Sequence, residues 1–256
     1  MNHLSLFTGA GGGELGAILN GWHTVGYVEW DDYCQRVLAQ RIKDGILPEA
    51  PIFGDLRAFI SEGYAEAYQG MVDVVSGGFP CQPFSVAGKR KGAGDDRNMW
   101  PATLEVIRLV RPKFALLENV PGLNTVRKSY LGRILGGLSE AGFDARWCVL
   151  GADDCGAPHR RKRLWILAHA EGIGMEGVRP SGEQEREAHE GQAISLCPGG
   201  HSWWATEPSV GRVAHGVAHR VDRLKAIGNG QVPAVVRTVW SLLRQHESVS
   251  GCREEL

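Results

Sequence analysis

The feature that most constrains this chain is at its start, where the apolar run Leu4-Ser5-Leu6-Phe7 stops abruptly at Thr8-Gly9-Ala10-Gly11-Gly12-Gly13. Leu15, Ile18 and Leu19 then recur at helical spacing. A short apolar run, a glycine cluster and a helical period read as strand, tight turn and helix. The alternation continues through a strand at Thr24 to Val28, a helix from Asp31 to Lys43, and strand-like runs at Val72 to Val75 and Phe114 to Leu117. Strands alternating with helices imply a mostly parallel sheet covered by helices on both faces, an α/β fold. Two further amphipathic helices belong to its core: one from Pro101 to Arg111 carries Leu104, Ile107 and Val110. The other carries Val232, Val235, Val236, Val239 and Leu243, with Pro233 in its first turn.

Composition narrows the class. The chain has 256 residues, 43% of them apolar, enough for a sizeable core in one generous domain. It has no uninterrupted apolar run of about eighteen residues, the length a membrane-spanning helix needs. Met1 to Phe7 lacks the basic start and apolar stretch of a secretory signal, so a cytoplasmic location is expected. The six cysteines include no closely spaced pair, which predicts neither a disulfide framework nor a metal site. A net charge of −1 gives no general attraction to polyanions, so nucleic-acid binding has to come from local basic patches. One stretch, residues 171–192, sets six glutamates against two arginines and few apolar residues, and reads as a surface insertion or loop.

The glycine turn offers bare backbone amides at a helix N-terminus, where the helix dipole favours negative charge. Gly11-Gly12-Gly13-Glu14-Leu15-Gly16 fits the G-x-G-x-x-G pattern, and Glu29 ends the next strand, where a ribose-binding acid sits in nucleotide folds. On these residues alone the turn suits NAD, FAD or S-adenosylmethionine, or no ligand at all. Trp30 directly after Glu29 adds a surface on which a purine can stack.

Two chemically active residues follow. Gly77-Gly78-Phe79-Pro80-Cys81-Gln82-Pro83 places a thiol on a rigid turn just past a strand end, where open parallel sheets bind ligands, and Cys81 is a candidate nucleophile. Glu118 follows the apolar run Phe114 to Leu117 at the mouth of the same crevice, where partial burial raises a carboxyl pKa and makes a proton donor.

With these residues in place, the chain resembles the DNA (cytosine-5)-methyltransferase family. The motifs that carry the resemblance are Leu6-Phe7-Thr8-Gly9-Ala10-Gly11-Gly12, Glu29-Trp30, Gly54-Asp55-Leu56, Gly78-Phe79-Pro80-Cys81-Gln82, Glu118-Asn119-Val120, the Arg161 and Arg163 pair, and Gly228-Asn229-Gly230-Gln231-Val232-Pro233. They occur in the family's order from residue 4 to about 240.

The resemblance implies a Rossmann-like S-adenosylmethionine-dependent methyltransferase fold and a methyl transfer to carbon 5 of cytosine in double-stranded DNA. It makes Cys81 the nucleophile that adds to carbon 6, Glu118 the group that protonates N3, and Arg163 the partner of O2, with Arg161 supporting the pocket. S-adenosylmethionine would be held by Phe7, Thr8, Gly9, Gly11, Gly12, Glu29, Trp30, Asp55, Leu56, Pro80 and Asn229. A base inside a duplex cannot meet both thiol and cofactor, so it has to be flipped out. The basic loop after Cys81 is expected to close over DNA through Ser85, Lys89 and Arg97.

Recognition is expected in the aromatic and basic stretch from His201 to Arg220, with Arg212 as a base reader. The implied division is residues 1–170 for catalysis and cofactor, 171–222 for a short recognition insertion, and 223–246 for a return to the catalytic domain. No metal is expected, and a separately acting restriction endonuclease would be the partner, in a prokaryotic or phage setting. Two departures stand out: Ser5 replaces the aspartate of many relatives, and His159 replaces a usual glutamine. Methylation of cytosine in RNA, a silent DNA-binding homologue, and a nicotinamide or flavin oxidoreductase are the competing functions. The last leaves Pro80-Cys81-Gln82 without a role.

Overall fold

A computed structural model describes residues 1–80, 98–125, 128–171 and 220–245 of the chain. Its elements run β1 (Asn2–Leu6), α1 (Gly12–Leu19), β2 (His23–Val28), α2 (Asp32–Lys43), β3 (Ile52–Phe53), α3 (Leu56–Ser61), α4 (Tyr64–Ala67), β4 (Val74–Gly77), α5 (Trp100–Val110) and β5 (Phe114–Asn119). There follow α6 (Gly122–Thr125), α7 (Lys128–Glu140), β6 (Phe143–Leu150), β7 (Arg163–Ala170), α8 (Arg220–Asn229) and α9 (Pro233–Gln245).

The strands form one sheet in the order β3-β2-β1-β4-β5-β7-β6. Pairs from β3 to β5 are parallel, and β7 runs antiparallel between β5 and β6. This is the mixed α/β, mostly parallel architecture that the strand and helix alternation predicts.

Side-chain alternation explains how both faces are covered. Leu4, Leu6, Val75, Ala115, Leu117, Leu164 and Ile166 enter one apolar cluster, together with α3, α5 and α7. Val74, Phe114, Leu116, Trp165 and Leu167 enter another, together with Val235, Val236, Val239 and Trp240 of α9. A polar knot crosses the second layer: His3 shares hydrogen bonds with Thr24 (2.9 Å) and Ser76 (2.7 Å), and the Thr24 hydroxyl donates to Glu14 (2.7 Å). Burial holds the His3 pKa below its ordinary value, so this network ties β1, β2, β4 and α1 through a neutral ring.

Element edges follow from capping. Asp31 is the cap of α2 rather than its first residue, its carboxylate accepting from the Tyr33 and Cys34 amides. Pro101 sits in the first turn of α5, where no amide is needed.

The chain's return is close-packed on α1. A Cβ on Gly16 would lie 2.5 Å from Val236 Cβ and 3.1 Å from the Pro233 carbonyl. Trp22 meets Trp240 edge-on at 4.7 Å behind this contact, and Arg244 lies over the Trp240 ring at 5.0 Å. We therefore expect Gly16→Ala to lower stability by about 1–3 kcal/mol through overpacking, read from urea denaturation. An unchanged midpoint would show that α9 is not held this closely.

Candidate active site

The carboxyl ends of β1, β2, β4 and β5 open on one side of the sheet. After β1 the chain turns sharply: Phe7 holds φ 54°, Gly9 59° and Gly11 84°. Left-handed φ costs glycine little, while at Phe7 it is strained, and the Phe7 ring lies against Gly77 of β4. The Thr8 amide donates to the Val28 carbonyl at 3.2 Å and the Gly11 amide to Thr8 at 3.2 Å, so the turn is fixed before α1 starts.

Glu29, just past β2, clasps this turn. One carboxylate oxygen accepts from the Gly9 amide at 2.6 Å and the other from the Asp31 amide at 2.7 Å. Burial pushes its carboxyl up, while the two amides and Lys225 pull it down. Beside it lies a cleft of about 680 Å³ lined by Trp30, Tyr33, Gln35, Arg36, Gly54 and Asp55, and closed on the α8 side by Asp222 and Lys225. Trp30 is 75% exposed there. Lys225 reaches Asp31 at 2.6 Å, which fastens α8 across the cleft. Asp55 caps α3 by accepting from the Arg57 amide at 2.8 Å. Leu56 is buried in the core cluster beneath and does not line the cleft.

The second half of the site surrounds Glu118, which lies inside β5 rather than after it. Its Oε1 is 2.8 Å from Arg163 Nε, the first residue of β7. Burial raises the Glu118 pKa, while Arg163, Arg161 and a hydrogen bond from the Gln231 side chain lower it. Arg161, at φ 29°, turns the other way and donates to the carbonyls of Gly228 (2.6 Å) and Gly230 (2.7 Å). The two arginines therefore divide the work: one holds the acid and the other holds the end of α8.

A pocket of about 30 Å³ joins the halves. It is lined by Phe7, Thr8 and Gly9 of the turn, Ser76 to Gly78 at the end of β4, Glu118, and Asn229 to Gln231 of the return. Ser5, in place of an aspartate, is on its wall and accepts a hydrogen bond from Thr8 at 3.1 Å. Asn119 donates to the Phe79 carbonyl at 3.1 Å, pinning the turn that leads to Pro80.

Cys81, Ser85, Lys89, Arg97 and Arg212 lie outside the described residues. Among the described residues there is no group of three metal-binding side chains, and no helix is long and apolar enough to cross a membrane. Asn119, Lys225 and Gln231 escaped the sequence reading as site residues. Asn119 and Gln231 carried a signal, as members of the Glu118 to Val120 and Gly228 to Pro233 motifs, and Lys225 carried none.

The family model for C-5 cytosine-specific DNA methylases matches residues 1–210. The chain is 32% identical over 167 residues to the Type II methyltransferase M.NgoMIV of Neisseria gonorrhoeae, covering 64% of this chain and 50% of that protein. It is 33% identical over 203 residues to M.AquIA of a Picosynechococcus species, covering 73% and 79%. Among solved structures it superposes on an Escherichia coli prophage-encoded protein described as a DNA modification methyltransferase, with TM-score 0.54 at 25% identity over 70% and 49% of the two chains. A DNMT2 variant of Spodoptera frugiperda matches with TM-score 0.54 at 20% identity over 71% and 53%, which shows the fold. The chain belongs to the C-5 cytosine-specific DNA methylase family, whose members use S-adenosylmethionine. It spans about half the length of M.NgoMIV and of M.HaeII from Haemophilus aegyptius.

The clasp on the glycine turn is testable without substrate. Glu29→Ala leaves the Gly9 and Asp31 amides without their carboxylate, and should cost about 1–3 kcal/mol in denaturant unfolding. Amide exchange at both residues should accelerate, and unaltered exchange would disprove the clasp.

Proposed function

We propose that this chain transfers a methyl group from S-adenosylmethionine to carbon 5 of a flipped-out cytosine in double-stranded DNA, through a covalent adduct with Cys81. The observation that carries the reading is the buried Glu118 carboxyl, held by Arg163 in the pocket shared with the glycine turn and the end of β4. A buried acid beside a nucleophile-bearing turn is what proton delivery to a base needs.

The cofactor fits the residues present. The exposed Trp30 face suits adenine stacking, Asp55 on the same cleft suits the adenine amino group, and Glu29 suits ribose hydroxyls. A Cβ on Gly9 would meet nothing within 4 Å, so the turn leaves room for the methionine portion beside Phe7 and Thr8. Gly11 and Gly12 shape that turn, Asn229 shares its pocket, and the same reading gives Pro80 to the cofactor. S-adenosylmethionine, when bound, supplies an electrophilic methyl.

The chain's own residues do the rest. The Cys81 thiolate adds to carbon 6 of cytosine, and Glu118 gives a proton to N3 as electrons enter the ring, leaving carbon 5 nucleophilic. Arg163 keeps Glu118 in place with one edge and has donors left for the ring O2, because a guanidinium carries five N–H groups. Arg161 acts through the Gly228 and Gly230 carbonyls. Carbon 5 takes the methyl and leaves the cofactor as the neutral thioether S-adenosylhomocysteine; carbon 5 then loses its proton to water as the carbon 6–sulfur bond breaks, Cys81 leaves as thiolate, and N3 returns its proton to Glu118.

In the same reading Ser85, Lys89 and Arg97 of the loop after Cys81 contact the DNA backbone around the flipped base, and Arg212, within a recognition insertion spanning residues 171–222, reads a base edge. Residues 1–170 and 223–246 then make the catalytic unit. Because its relatives are Type II methyltransferases, a cytoplasmic setting with a separately acting endonuclease belongs to the same reading.

Bisulfite sequencing of DNA from cells expressing the chain tests the reaction and reads the target together. Protected cytosines in one sequence context are expected, lost with Cys81→Ser and reduced about a hundredfold to ten-thousandfold in rate by Glu118→Gln. Absence of protected cytosines in every context would refute the activity.

A further inference from the structure

One side chain in the pocket has no part in that chemistry. Gln231 stands between α8 and α9, and three glycines make room for it. A Cβ on Gly12 would collide with the Gln231 carbonyl oxygen, and one on Gly13 would lie 2.5 Å from its Oε1. The same position on Gly78 is 3.4 Å from Gln231 Nε2 and 2.6 Å from Glu118 Oε2. The carboxamide thus lies between the first turn of α1 and the acid, its Nε2 and Glu118 Oε2 meeting over Gly78, where its polar N–H helps to hold the Glu118 pKa down.

We propose that Gln231 is a positioning residue for methyl transfer: it bridges the cofactor-binding glycine turn to Glu118 and holds the carboxyl where it can reach the base. The inference rests on the proposed function for the role of Glu118 as proton donor. Its physical sense lies in neutrality. Arg163 from β7 and Arg161 from the segment before it are the charged groups facing Glu118 among the described residues. The end of β4, β1 and the end of α8 bring only neutral lining such as Ser76, Ser5 and Asn229. Glu14 of α1 is engaged with Thr24 in the buried knot. A third cation on the carboxyl would keep it ionised and spoil it as an acid, whereas a carboxamide orients it without added charge. The backbone of Gln231 also packs on Gly12, so the acid keeps a fixed relation to the turn on which the methyl donor would rest.

The test uses the full chain and the variants Gln231→Leu and Gln231→Glu, with urea denaturation to confirm folding. If Gln231→Leu fails to fold, Gln231→Asn, one methylene shorter, replaces it. The first measurement is a ¹³C NMR titration of Glu118, assigned with Glu118→Gln, without DNA or cofactor. Loss of the donor should raise the Glu118 midpoint by about one pH unit in Gln231→Leu, and the like charge in Gln231→Glu should raise it further. The second is single-turnover methyl transfer against pH. It should slow by about tenfold in Gln231→Leu with little change in the KM for DNA, and the limb due to Glu118 should move by the same amount as the titration.

A Glu118 midpoint unmoved in both variants overturns the inference, as does a moved midpoint with an unchanged rate. Wild-type protein that methylates no DNA overturns the proposed function, and the positioning role with it, even where the titration shows the contact.

Discussion

Everything at the site depends on the bare face of α1. Gly12, Gly13 and Gly16 lie along one side of the helix, and the chain's return fills the space where their side chains would be: Gln231 at the first two, Val236 and the Pro233 carbonyl at the third. A contact between residue 12 and residue 231 closes a very long loop, and the entropy of closure has to be offset by packing. That packing is the aromatic and aliphatic cluster in which Val235, Val236, Val239 and Trp240 meet Trp22, Phe114 and Leu116. Arg161 adds a second tie through the Gly228 and Gly230 carbonyls, and Lys225 a third through Asp31. This third tie joins exposed side chains and is worth about 0–1 kcal/mol, so the apolar seam decides the docking.

Two buried carboxyl groups define the poles of the pocket, and the fold treats them differently. Burial pushes both upward. Glu29 is answered mainly by backbone amides, which serve an anion with fixed dipoles and no mobile charge. Glu118 is answered by a guanidinium and a carboxamide. The first arrangement suits a group that stays a hydrogen-bond acceptor for hydroxyls, and the second suits one that gives up a proton and takes it back. Both environments come from strand ends, where a side chain is anchored by a rigid element yet opens to the crevice.

The parallel half of the sheet was legible because β1, β2, β4 and β5 are short apolar runs ended by glycine, acid or both. The errors there were of one or two residues: β5 continues through Glu118 and Asn119, and β4 begins two residues later than Val72 and extends to Gly77. The antiparallel pair β6 and β7 was not read. Phe143 to Leu150 mixes Asp144, Arg146 and exposed Trp147 into an edge strand with no clean alternation. The run Leu164 to Ala168 carries a strand signal, but nothing local says that it reverses direction. In α7, Gly132, Gly136 and Gly137 weaken the helical pattern, and Gly137 is there because Leu104 approaches too closely for a Cβ. At the site, Glu29, Trp30 and Glu118 were readable from strand ends, whereas Gln231 required knowing which glycines face the return. The different directions taken by Arg161 and Arg163 are likewise a matter of backbone, set by the positive φ at Arg161.

The claim beneath all of this is that the crevice beside Glu118 performs covalent chemistry on cytosine. The most direct measurement is peptide mapping by mass spectrometry after incubating the full chain with S-adenosylmethionine and a duplex in which 5-fluorocytosine replaces cytosine at a site the chain methylates. Fluorine cannot leave carbon 5 as a proton does, so a methylated base should remain bonded to the peptide containing Cys81, and only when the cofactor is present. A chain that methylates ordinary DNA yet leaves Cys81 free on this duplex, or bonds through another residue, would contradict the account.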